Sequence, residues 1–137
     1  MTPIRLRRQR GQSLLETSMV IVVIFIVVFW IFELGWLMYT YNVMADAANE
    51  GVRFAIVNSG LSDADLQTKT EQVVKRFART SLHTVNTTAL TVAVTRPSGQ
   101  KPPNPVQVQV TYTYLPWLSG FMSTPTMRTF AKGNLVR

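Results

Sequence analysis

Glu16 is a carboxylate at the mouth of a long apolar run, five residues past Gly11 and behind Arg5, Arg7, Arg8 and Arg10. At the centre of a membrane helix such a charge costs roughly 2.5–3.5 kcal/mol, and less near an end, where the side chain reaches headgroup water. Glu16 is about 7.5 Å along a helix from Gly11 at 1.5 Å per residue, so its penalty is partial. Alone it is a tolerated edge group, whereas beside an ammonium in lipid each charge relieves the other's desolvation. The remaining candidates for chemistry are weaker. Asp63 and Asp65 stand at the start of an expected helix, where the helix dipole favours carboxylates, and this argues against a catalytic pair. His83 is the single histidine and is expected to cap or border that helix. With no cysteine, a histidine-based metal cluster within one chain is excluded. No phosphate loop or nucleophile elbow occurs. No enzyme, metal or cofactor is expected.

The element that must hold Glu16 is the apolar run itself. Residues 17–32 (TSMVIVVIFIVVFWIF) carry no charge, and the mostly apolar stretch continues past Glu33 to Met38. A helix needs about 20 such residues to cross a bilayer. The apolar side chains surround the helix, and Trp36, Tyr39 and Tyr41 fall where an interfacial aromatic belt would lie. Four arginines precede the run, against Asp46, Glu50 and one Arg53 behind it. The positive-inside rule then places the N-terminus in the cytoplasm and the last hundred residues outside. A cleaved signal peptide ending at Ala45-Asp46-Ala47 is the weaker reading, because it would need 47 residues where about 15–30 are usual.

Composition fits an anchor and one small domain. The formal charge is +7, and four of the fourteen basic residues precede Gly11. A nucleic-acid binder would carry its surplus on one face of the folded domain, so none is expected. The lack of cysteine also rules out disulfides, and the domain must hold together by packing.

Basic residues, Gly11, four uncharged residues (Gln12 to Leu15), Glu16 and then an apolar run resemble a type IV prepilin leader. The resemblance implies that a prepilin peptidase cuts Gly11–Gln12 on the cytoplasmic side, where a missing Cβ lets the protease approach the backbone. It also implies that Glu16, then fifth in the mature chain, meets the new α-amino group of an adjacent subunit. Ordinary type IV pilins begin with phenylalanine after the cut and Flp pilins carry Glu-Tyr. Gln12 and Glu16-Thr17 therefore point away from a main pilus subunit.

The next residues narrow the resemblance. Arg10-Gly11 with Glu16, then Glu33, Gly35 and Tyr39, then Ala47, Ala48, Glu50, Gly51, Arg53 and Ala55 resemble TadE-like pseudopilins of the tight-adherence (Tad/Flp) pilus system. Gly35 is assigned to helix packing by this pattern. Independently of it, Ala47, Gly51 and Ala55 recur every four residues and align three small side chains on one helical face for close packing of another helix. The packing is against either the chain's own domain or a neighbour. A helix over 12–57 would run about 69 Å, both anchor and spine.

Asn58-Ser59-Gly60 stops this helix, and Ser62 with Asp65 resembles a capping box before a second helix over 64–82. Leu66, Val73, Val74, Phe77 and Leu82 give it an apolar side. Residues 88–95 and 106–114 alternate as half-buried strands. The Pro-rich residues 96–105 join them as a long hairpin tip. Residues 126–131 are expected to return as a third strand. The tract around Trp117, Leu118, Phe121 and Met122 is expected to fold back onto the sheet, a partner surface being the alternative. Residues 61–137 are too few to be robustly folded alone and need the long helix or a partner.

The expected architecture is thus α+β: a leader over 1–11, a transmembrane and spine helix over 12–58, and a small domain over 61–137 with a roughly three-stranded antiparallel sheet. The resemblance implies a structural assembly component, a minor pseudopilin that initiates or caps Flp pili after leader cleavage. Its partners would be the prepilin peptidase, other pseudopilins, Flp pilin, the Tad secretion platform and membrane lipid. It would cross the bacterial inner membrane once, staying there or entering the pilus. The alternative is a membrane-tethered binding or sensing module that is not cut at Gly11.

Overall fold

Between Pro3 and Pro97 the chain contains no proline, and nothing in residues 5–57 forces a helix to break. The computed structural model describes residues 5–82, 86–96, 105–117 and 123–134. In it, helix α1 runs Arg5–Val57, helix α2 Asp63–Ser81, and a short 3-10 turn Thr87–Ala89. Strands β1 (Leu90–Thr95), β2 (Pro105–Thr113) and β3 (Thr126–Asn134) follow. This is the expected α+β fold, with a long apolar helix, a second helix and a three-stranded antiparallel sheet. Helix α1 begins at Arg5 rather than Gln12, because nothing in the arginine-rich stretch interrupts it.

The chain divides into two compact units, Met1–Trp36 and Leu37–Arg137. In the first, every side chain from Gly11 to Phe32 is exposed, and Glu33 alone among those described is buried, 7% exposed. An apolar surface of that extent is what lipid requires and water does not tolerate.

In the second unit the sheet order is β1-β2-β3, antiparallel throughout, with Leu90 opposite Tyr112 and Val110 opposite Thr129. Leu90, Val92, Val106, Val108, Val110, Tyr112, Met127 and Ala131 are buried, as the period-two pattern dictates. The core also takes Val43, Met44, Ala47, Ala48 and Val52 from α1, and Val74 and Ala78 from α2. Ala55 joins Leu66 and Val106 in a second cluster. Thr129 Oγ1 donates to the Met44 carbonyl at 3.2 Å.

Helix α2 is capped by Ser62, whose Oγ accepts from the Asp65 N–H at 3.2 Å. Its buried residues are Leu66, Thr70, Val74 and Ala78, whereas Val73 and Phe77 are only partly covered. Strand β2 begins at Pro105, tolerated because a strand's first residue needs no ladder N–H. Strand β3 continues past Ala131 through Gly133. Trp117 does not fold back onto the sheet: it is 87% exposed, and Leu115 is 57% exposed. Leu118, Phe121, Met122, His83 and residues 97–104 of the hairpin tip lie outside the described residues.

Candidate functional site

Gly11, Gln12 and Glu16 occupy helical, exposed positions on α1. A Cβ at Gly11 would meet nothing within 4 Å. The hydroxyls flanking Glu16 are satisfied locally: Thr17 Oγ1 donates to the Ser13 carbonyl at 2.9 Å and Ser18 Oγ to the Leu15 carbonyl at 2.8 Å. This back-bonding lets Ser and Thr face an apolar medium without an unpaired donor. Glu16 has no such partner among the described residues. The side chains of Arg5, Arg7, Arg8 and Arg10 lie outside the description.

The remaining motif residues divide between surface and core. Gly35 is exposed, and a Cβ there would meet nothing within 4 Å. Ala47, Gly51 and Ala55 are buried within the chain's own second unit, so their small-residue stripe is occupied by this domain. A Cβ on Gly51 would stand 2.8 Å from Val74 Cγ2, 3.2 Å from Val108 Cγ1 and 3.3 Å from Thr70 Cγ2. Glu50 and Arg53 form a solvent-facing pair at 3.8 Å, worth little energetically.

For two other motif residues, spacing gave the position and not the surroundings. Tyr39 Oη donates to the Ser81 carbonyl at 3.4 Å, tying the end of α2 to α1. Glu33, which the motif contains, is buried and polar; charge inside an apolar run was its signal.

The acidic residues of α2 are structural. Asp63 Oδ1 accepts from Arg96 Nη2 at 3.1 Å, and Arg96 also donates to the carbonyls of Ser59 and Leu61. Asp65 accepts from Ser62 Oγ at 2.7 Å. Burial pushes the Tyr112 phenol above its ordinary 10.0, against a backbone hydrogen bond at Asn86 that lowers it, so Tyr112 is a neutral core residue. Among the described residues, no group of three or more His, Cys, Asp or Glu could hold a metal ion. A groove lined by Phe54, Lys69, Gln72, Val73 and Arg76 offers no acid–base pair.

The segment from Gly11 onward contains a stretch long and apolar enough to cross a membrane. Together with the family match that follows, it fits a membrane-anchored protein. Residues 11–53 match the model of the family described as TadE-like protein. The family suggests a structural component associated with the Tad pilus. No curated protein and no solved structure matches the chain.

Proposed function

We propose that the chain is a minor pseudopilin of the Tad/Flp pilus system, a structural subunit that helps to initiate or cap the fibre. The observation that carries this reading is the TadE-like match over residues 11–53, which starts at the glycine of the leader pattern. In this reading the N-terminus stays in the cytoplasm and a prepilin peptidase cuts Gly11–Gln12. The bond lies in helical backbone, so cleavage requires local opening. Gly11 eases that opening by roughly 0.5–1 kcal/mol relative to alanine and presents no side chain to the protease.

Cleavage removes the four arginines and creates an α-amino group at Gln12. Glu16 then accepts the corresponding ammonium of a neighbouring subunit, pairing two charges that lipid would otherwise penalise. Gly35 gives a neighbouring helix its closest approach. Residues 12–58 serve as span and spine, and residues beyond 61 as the outer domain. Other pseudopilins, Flp pilin and the Tad platform are the partners.

The test is the intact mass of the membrane-extracted protein, with and without the peptidase. Loss of residues 1–11 only with the peptidase is expected, and Glu16→Gln should be trimmed alike yet recovered less in the pilus fraction. Full length under both conditions would point instead to a tethered binding module.

A further inference from the structure

The apolar surface at Leu115 and Trp117 has a defined place along the second unit. Its height can be read from contacts between α1 and β3. A Cβ on Gly133 would meet Val52 and Ile56, and Thr129 bonds Met44. Four strand residues from Gly133 to Thr129 cover about 14 Å. The eight to twelve helix residues from Val52 and Ile56 back to Met44 cover about 12–18 Å. The strand and α1 therefore advance together.

Three further residues along β3, about 10 Å, lead from Thr129 to Thr126. That corresponds to about seven residues of α1, reaching the neighbourhood of Leu37. Thr113 is the register partner of Thr126. Leu115 and Trp117 lie beyond Thr113, at or past the level where the apolar run ends at Met38. The Tyr39–Ser81 hydrogen bond places the end of α2 at this level of α1.

The base of the loop is closed there. Tyr114 is buried, and its N–H donates to the Pro125 carbonyl at 3.0 Å. Leu115 and Trp117 are nonetheless exposed, as are Tyr39 and Tyr41. Tryptophan and tyrosine favour the headgroup level because each combines an apolar ring with a polar atom.

We propose that the Leu115–Trp117 loop is a second membrane contact, seated in the lipid interface beside the point where α1 leaves the bilayer. The proposal rests on the reading of α1 as a membrane span.

The test uses the full chain in bilayers of phosphatidylcholine with a minority of phosphatidylglycerol, with and without lipids brominated near the headgroup or deep in the acyl chain. Trp30→Phe combined with Trp36→Phe leaves Trp117 as the single tryptophan. Trp36→Phe combined with Trp117→Phe leaves Trp30 to report on the span. The expected result is a blue-shifted Trp117 emission quenched mainly by shallow bromines, with Trp30 quenched by deep ones. Deep quenching of Trp30 with a water-like, unquenched Trp117 overturns the loop contact and spares the span. A blue-shifted but unquenched Trp117 also overturns it, because a protein surface then covers the ring. If Trp30 is unquenched as well, the span reading itself fails.

Discussion

Gly51 occupies a position that one methyl group would overfill. The three atoms its Cβ would meet belong to α2 and β2, so no single neighbour can move aside to make room. Alanine gains about 1 kcal/mol in helix propensity over glycine. Overpacking a core costs about 1–3 kcal/mol, and here the cost should win. Gly51→Ala is expected to lose about 1 kcal/mol net, which lowers the melting temperature of the outer domain by roughly 4–8 °C. Gly35→Ala is the control, since its Cβ meets nothing. A thermal melt of both variants in detergent decides the matter, and a Gly51→Ala protein more stable than the parent would remove the packing argument. Thr70 shows how tightly this region is built: its Oγ1 is buried with no hydrogen-bond partner among the described residues.

Between elements, α2 does more than cover the sheet. Gln67 Nε2 donates to the Val92 carbonyl at 2.7 Å, and its Oε1 accepts from the Val94 N–H at 2.8 Å. The amide thereby pairs the outer edge of β1 as a neighbouring strand would, blunting a site for unwanted strand addition. Gln67→Ala should cost about 1–3 kcal/mol, since it leaves two half-buried backbone groups unmet. Hydrogen exchange is the sharper readout: the Val94 amide should exchange faster while Val108 in β2 is less affected. Unchanged exchange at Val94 would show that the bridge has no weight.

Much of this layer was legible in the residues. Alternation located β1 and β2, and Ser62 with Asp65 located the start of α2. Gln67 was not legible, because a polar residue at an exposed-looking helix position carries no sign of the strand it meets. The end of β3 was missed for a related reason. Lys132-Gly133-Asn134 reads as a strand end, yet Gly133 lies where Val52 and Ile56 press against the backbone and a Cβ would collide. Spacing also left open what Ala47, Gly51 and Ala55 pack against, since small residues in a row fit a domain and a partner equally well.

At the scale of the whole chain, α1 contributes to the domain core as well as to the apolar span. Met44, Ala47, Ala48 and Ala55 are at most 1% exposed, and the compact unit starts at Leu37. A fragment of residues 61–137 lacks that layer, whereas one of residues 37–137 retains it. The shorter fragment should show no cooperative thermal transition and rapid proteolysis, and the longer one a single melt, both readable by circular dichroism. A cooperative melt of residues 61–137 would mean that α1 is only attached to the core. In the candidate site, the TadE-like match over residues 11–53 was legible, because it rests on local spacing. The exposure of Trp117 was not, because it depends on where β2 ends in space.

The Thr129–Met44 hydrogen bond joins residues 85 apart in the chain and involves the last strand. Contacts this distant form late, because a long loop must close before they contribute. During synthesis the alanine and glycine face of α1 is therefore made early and waits for its covering. The domain closes only when β3 arrives, so a chain arrested before Thr126 would keep its anchor and lack a finished core.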